Sequence, residues 1–426
     1  MNRYFDYFDY LCTLMLLATV LAGPVLAQPA TALTGEQMEH FRTAIRTNFF
    51  IPAPLPQLDA QVHRTFSPAP GVKAEAISYT TELGMLVPAI LYLPDPVPAS
   101  KIPAFVVVNG HGGDKYSWYS YYTGILFARA GAAVLTYDQI GEGERNLNRQ
   151  SDTRAHDHLQ GDATLARHLA GLMITDVEQA VTYLGQRPEI DSARIAVGGY
   201  SLGSLVVALT GAIDPRIDAC VLCGGGNLDE PGGYWDRSEK KMCQSLPYQS
   251  LNFLGDRPAV IYSLHATRGP TLIFNGLGDT GNGMAARGAG FFEALRARTI
   301  QVHGSTNQVF DFAFAPANCG HRPYWLTRPV AAWLEAQLHF PNWTPAKIDS
   351  LPEIKIADWS AKFGIPMDPQ YTNDLREGGT PALDVKVPGF ARDDLNVLTA
   401  GEWPAQKTNY ILETWQIRAA KASTTP

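Results

Sequence analysis

Lysine and arginine never gather into a run in this chain, and acidic residues outnumber them 41 to 34, leaving a formal net charge of −7. Binding a nucleic acid calls for a concentrated basic face, so that class of partner is excluded. No repeat period and no low-complexity tract interrupts the 426 residues. The length suits one large α/β domain with additions, or two domains. Long apolar runs are missing as well. The best candidate, Leu11 to Ala22, falls short of the roughly 20 residues a membrane span needs. It reads instead as the apolar part of an export leader, with Val25 and Ala27 supplying the small residues of a cleavage site after Ala27. Arg3 is offset by Asp6 and Asp9, and an uncleaved anchor is the alternative. The processed chain is expected to be periplasmic or secreted, with no stable membrane span.

Cysteine is scarce, at five residues. Cys12 leaves with the leader, and Cys220, Cys223, Cys243 and Cys319 remain. An even number in an exported chain allows two disulfides whose pairing spacing does not define. Cys220-x-x-Cys223 has no second pair or nearby histidine to complete a zinc set and is expected to serve packing or a disulfide. His156, Asp157 and His158 lie in a polar loop without the helical spacing of a metal site and are read as structural, so no metal is expected.

Against these absences stands one dense motif. Arg194 to Val197 is an apolar strand running into Gly199-Tyr200-Ser201-Leu202-Gly203, and a helix-like stretch follows at once. Gly-x-Ser-x-Gly between a strand and a helix places the serine on a sharp turn, hydroxyl outward, beside the amides that open the helix. The surrounding pattern is strand, helix, strand. Ala104 to Asn109, Ala132 to Tyr137, Arg194 to Val197, Ala219 to Leu222 and Thr271 to Phe274 are short apolar strands. Helices are expected at Ser120 to Ala130, Ala163 to Leu184, Met284 to Arg298 and Tyr324 to Leu338, and a last strand at Ile300 to His303. Apolar strands separated by helices predict an α/β fold: a mostly parallel twisted sheet covered by helices on both faces. Ala76 to Thr81 and Met85 to Leu93 alternate as two antiparallel strands ahead of it. The expected organisation is a leader (1–27), an N-terminal helix and proline-rich linker (28–75), a catalytic domain (76–339) and an appended C-terminal subdomain (340–426).

Active sites of such sheets gather at the carboxyl ends of the strands. Asp279 follows the strand ending at Phe274, and His321 follows in a later loop. The order Ser201, Asp279, His321 suits a nucleophile, the acid that orients the imidazole, and the general base. Asp229 is the second candidate for the acid. Asn109-Gly110-His111-Gly112-Gly113 follows an earlier strand and offers backbone amides for an oxyanion, with the Leu202 amide as the second donor. Trp118, Tyr119, Tyr121, Tyr122, Tyr234 and Trp235 are candidates for a pocket lining or for core packing. Glu142 and Glu144 sit two residues apart with Arg145 as a ready ion partner, which argues against a glycosidase pair.

With these residues the chain resembles the α/β-hydrolase superfamily, in its dienelactone-hydrolase-like and acetyl-xylan-esterase-like branch. The resemblance rests on His111-Gly112-Gly113, Tyr137 to Arg145, Asp176, Arg187 to Asp191, the Ser201 elbow, Asp279 and His321. It implies that the loop Asp138 to Gly143, with Asp138 and Gly141, shapes the substrate pocket. Dienelactone hydrolases proper use a cysteine nucleophile, and Ser201 here implies an ester hydrolase. Ser204 stands where many members have a second glycine, which weakens any transfer of acetyl-xylan specificity. The expected activity is cleavage of small-molecule or carbohydrate esters through an acyl-enzyme, without metal or organic cofactor. A prolyl-oligopeptidase-like exopeptidase is the alternative enzyme, although 28–75 is too short for the propeller such enzymes carry. A non-catalytic hydrolase-fold binding protein is the third reading.

Overall fold

A computed structural model describes residues 32–237, 243–305, 309–315, 320–321, 327–351 and 392–423. The stretch expected to be a leader, Cys319 and residues 352–391 lie outside them. The chain builds one sheet of nine strands: β1 (Gln61–Ala69), β2 (Val72–Thr80), β3 (Leu86–Pro94), β4 (Ile102–Val108), β5 (Ala133–Tyr137), β6 (Ile190–Tyr200), β7 (Ala219–Cys223), β8 (Thr271–Gly276) and β9 (Asp311–Ala315). Their order across the sheet is β1-β2-β3-β5-β4-β6-β7-β8-β9. β1, β2 and β3 run antiparallel, and β5 onward are parallel to one another. The sheet is therefore mostly parallel, as expected.

Among the described residues, the helices of ten residues or more are α1 (Gly35–Asn48), α2 (Trp118–Arg129), α3 (Ala163–Gln186), α4 (Leu202–Ile213), α5 (Arg257–Ala266), α6 (Gly290–His303), α7 (Arg328–Leu338) and α8 (Leu412–Ser423). They cover both faces. Along β4, Ala104, Val106 and Val108 pack with α1, α3, α4 and α5, while Phe105 and Val107 pack with α2 and α7. Every residue of β4 is buried. A strand buried on both faces needs no alternation of apolar and polar residues, and β4 shows none. No described helix is long and apolar enough to cross a membrane.

Four expectations change. β1 falls inside the stretch read as a linker and pairs with β2 at the sheet edge. Its side chains are mostly exposed or half-buried, so it carries little apolar signal. The strand expected at Ile300 to His303 is the last turn of α6, which runs on until Gly304, at φ +74°, caps it. The true last strand is Asp311–Ala315. The helix expected over Met284 to Arg298 divides at Gly288 (φ +69°) into a single turn, Met284–Arg287, and α6. Cys220, Cys223 and Cys243 form no disulfide with one another, and Cys220 and Cys243 are buried thiols.

The end of the chain folds back on the sheet. Glu144 accepts the amides of Val397 (2.7 Å) and Leu398 (3.0 Å), and Arg64 donates to the carbonyl of Asn396. On α8, the fully buried Trp415 donates its indole N–H to Glu82 at 2.7 Å.

Candidate active site

Ser201 sits between β6 and α4 with φ +53° and ψ −111°, a conformation that costs a non-glycine residue strain. The two motif glycines are sterically required. A Cβ on Gly199 would lie 2.2 Å from the Gly203 carbonyl oxygen, and one on Gly203 would lie 2.2 Å from that of Val108. Beneath the turn, the Ser204 hydroxyl is shared between the carbonyls of Gly199 (2.9 Å) and Cys223 (2.8 Å). Ser204 is buried there and does not reach the pocket.

The imidazole of His321 lies between Ser201 and Asp279. Its Nε2 is 3.0 Å from Ser201 Oγ, and its Nδ1 is 2.6 Å from Asp279 Oδ2. Asp279 is fully buried, and its second oxygen accepts the amides of Gly281 (2.7 Å) and Asn282 (3.2 Å). Tyr200 donates its hydroxyl to the His321 carbonyl at 2.9 Å, fixing the loop that carries the ring. Tyr200 was not anticipated, although it occupies the variable position before the serine.

A cavity of about 500 Å³ opens over Ser201 and His321. Its walls include His111, Arg154, Leu205, Asn227, Trp235, Gln244 and Tyr248. The side-chain oxygen Oε1 of Gln244 is buried there without a partner among the described residues. Arg154 is held by Asp157 at 2.6 Å. Arg154, Asn227 and Gln244 come from irregular segments and Tyr248 from the five-residue helix Ser245–Gln249, none of which carries a periodic signal.

Of the residues expected around the oxyanion, His111 lines the cavity, and burial pushes its imidazole pKa below the usual value. Gly110 packs against the elbow, where a Cβ would come 3.1 Å from Ser201 Cβ. Gly112, at φ +74°, accepts the amide of Asp152, and the Gly113 amide is spent on the Gly110 carbonyl at 3.0 Å. Neither glycine borders the cavity, which leaves His111 as the residue of this loop that lines it. Leu202 is buried at the first position of α4, where a helix amide has no acceptor within its own helix.

Asp138 and Gly141 are not among the lining residues. Asp138 is fully buried in an ion cluster with Lys115, which also pairs with Glu144 at 2.8 Å. Gly141 lies against Ala155, His156 and Leu412. The loop they belong to therefore supports the pocket from behind. Arg145 pairs with Asp176 at 2.5 Å rather than with either nearby glutamate. Asp229 is held by Arg287 (2.7 Å) and Arg257 and belongs to the wall around Trp235. Tyr119, Tyr121 and Tyr122 are core residues, whereas Trp235 faces the cavity.

A doubly covered, mostly parallel sheet with a serine elbow at the end of a central strand, and an imidazole bridging that serine to a buried aspartate, defines the hydrolase-fold class. The chain belongs to the alpha/beta hydrolase family, whose model matches residues 105–347. Its sequence is 32% identical over 164 residues to a hydrolase, ORFZ, of Pyricularia oryzae, covering 36% of this chain and 33% of that one. It is 32% identical over 115 residues to a putative hydrolase, YtaP, of Bacillus subtilis, covering 25% of this chain and 37% of that one. The matches thus span about a third of either relative. Among solved structures, methylesterase BT1017 superposes with a TM-score of 0.54 at 17% identity, covering 90% of this chain and 73% of that one. A putative acetyl xylan esterase of Bacteroides fragilis superposes with a TM-score of 0.50 at 17% identity, covering 66% and 74%. At these identities the likeness establishes the shared fold.

Proposed function

We propose that the protein is an exported serine esterase that cleaves carboxylic esters through an acyl-enzyme. The observation that carries this reading is the His321 ring, with one nitrogen 3.0 Å from Ser201 Oγ and the other 2.6 Å from Asp279 Oδ2. Asp279 accepts a hydrogen bond from Nδ1–H, which leaves Nε2 unprotonated as the base for the serine hydroxyl. Ser201 Oγ attacks the ester carbonyl as its proton passes to Nε2. The imidazolium formed is stabilised by Asp279 and returns the proton to the departing alcohol. Water then repeats the sequence on the acyl-enzyme and releases the acid. The amides of Leu202 and His111 serve as the oxyanion donors, each worth on the order of 3 kcal/mol in the transition state. Gly113 is left out because its amide already donates to Gly110.

The pocket suits a short acyl group or one sugar ring. Trp235 offers an aromatic wall, and Gln244 and Asn227 offer polar groups. We assign 1–27 to a leader removed on export and 340–426 to an appended segment. An N-terminal mass of the mature chain tests the first assignment.

Ser201→Ala is expected to abolish hydrolysis of short p-nitrophenyl esters, and a fluorophosphonate probe to add mass at Ser201 alone. Native-rate turnover by Ser201→Ala would falsify the reading. A panel of acetyl, butyryl, feruloyl and methyl-uronate esters then separates the acyl and alcohol classes.

A further inference from the structure

We propose that His111, His156, Asp157 and Cys243 form a site for one divalent cation of zinc-like character behind the pocket wall. The four come from three segments: the loop after β4, the turn Ala155–Gly161, and the chain leading into the short helix Ser245–Gln249. One ligand atom from each lies within 4.8 Å of all the others. His111 Nε2 is 3.4 Å from Cys243 Sγ and 3.4 Å from Asp157 Oδ1. Tetrahedral arms of about 2.0–2.3 Å set neighbouring ligands roughly 3.3–3.6 Å apart, so these two edges already have the right length. As a hydrogen bond, 3.4 Å from nitrogen to carboxylate oxygen is long.

His156 supplies the independent observation. It is fully buried, and its Nδ1 lies 3.1 Å from the carbonyl of Ile140. A carbonyl can only accept, so Nδ1 holds the proton and Nε2 keeps a bare lone pair. That Nε2 is buried without a partner among the described residues. Leaving a buried acceptor unmet is destabilising, and a bound cation would satisfy it. Metal-ligating histidines are oriented in this way, the far nitrogen donating to a carbonyl or carboxylate.

The donor set selects the ion. Two imidazoles, a thiolate and a carboxylate suit zinc and its neighbours rather than magnesium or calcium. Arg154 occupies Asp157 Oδ2, at 2.8 Å from its Nε, while Oδ1 accepts the Cys243 amide at 3.0 Å and turns its other lone pair to His111. On binding, the Cys243 thiol proton passes to solvent and the thiolate joins the ion. The dication is then balanced by one thiolate and one carboxylate, as burial demands. The ion ties the oxyanion-loop residue His111 to the wall that carries Gln244. This site does not depend on the chemistry proposed for Ser201.

The test is a cobalt titration of the chelator-stripped full chain. One equivalent of Co²⁺ is expected to produce tetrahedral visible bands with a thiolate-to-cobalt charge-transfer band, and Zn²⁺ to bleach them. The charge-transfer band should vanish in Cys243→Ser, and affinity should fall at least about tenfold in His156→Asn. Ser201→Ala should bind like the parent, which separates this site from catalysis. Near-ultraviolet circular dichroism confirms that each variant is folded. A folded parent without the charge-transfer band, or a spectrum unchanged in Cys243→Ser, overturns the proposal.

Discussion

His321 Nδ1 lies 2.6 Å from Asp279 Oδ2, closer than Nε2 lies to Ser201 Oγ at 3.0 Å. The amides of Gly281 and Asn282 hold the other aspartate oxygen. An asparagine at 279 can keep those two bonds only by turning its NH₂ toward His321. Nδ1 must then accept, the proton moves to Nε2, and the serine loses its base. Asp279→Asn is expected to lower kcat by about 10⁴-fold with KM little changed. Steady-state kinetics on p-nitrophenyl acetate measure this, and a loss below tenfold would remove Asp279 from the proposed role.

Asp138 tests a different relationship. The sequence resemblance assigns it to the pocket, but its carboxylate accepts the Lys115 amide (3.0 Å) and the Glu144 amide (2.8 Å) beside the buried Lys115 ammonium. Asparagine there removes the charge and points an NH₂ at one of those donors. Breaking a buried pair on one side costs about 3–5 kcal/mol. Asp138→Asn is therefore expected to lower Tm sharply and to loosen 397–398, which Glu144 holds. Thermal unfolding and limited proteolysis read this out. A variant with unchanged Tm and altered KM would restore the pocket role.

These two aspartates mark how far the sequence is legible. The central strands are apolar on both faces, so their ends, and Ser201 and Asp279 just beyond them, can be located from pattern alone. The parallel sheet follows from the same signal. Asp138 also follows a strand, yet its role is decided by Lys115, and no spacing rule pairs those two. β1 escapes because an edge strand with mostly exposed or half-buried side chains displays little apolar alternation. His303 is misplaced because a short apolar run such as Ile300 to His303 suits a strand or a helix end equally. Arg154 and Gln244 reach the pocket from loops, where residue type says little about direction.

Ser204 departs from the second glycine common in this branch, and its hydroxyl braces the elbow. Ser204→Ala leaves Cys223 O still accepting the Ser201 amide at 2.9 Å. The expected cost is about 1 kcal/mol, a Tm fall of a few degrees, with turnover largely kept. Ser204→Val should do worse, because Gly225 packs directly against the Ser204 Cβ. Differential scanning calorimetry of both variants checks the order. Equal stability would mean that the hydroxyl, not the space, governs this position.

His265 sets an acid limit on the fold. It is buried between Thr271 Oγ1, 2.9 Å from Nδ1, and the Ala208 carbonyl, 2.5 Å from Nε2. Gly211 leaves no room beside the ring, since a Cβ there would lie 2.5 Å from it. Burial pushes the pKa down to about 4. The unfolded chain takes up this proton near the ordinary value of about 6.5. Between those values the unfolded state binds more protons than the native one. Stability from His265 is therefore complete above about pH 6.5 and is lost as pH falls toward 4, on the order of 3 kcal/mol over the window. His265→Gln retains one donor and one acceptor but does not titrate. Its Tm, lower at neutral pH, should fall less than the parent's between pH 6.5 and pH 4.5. Parallel acid limbs in the two proteins would show that His265 is not held neutral in the native state.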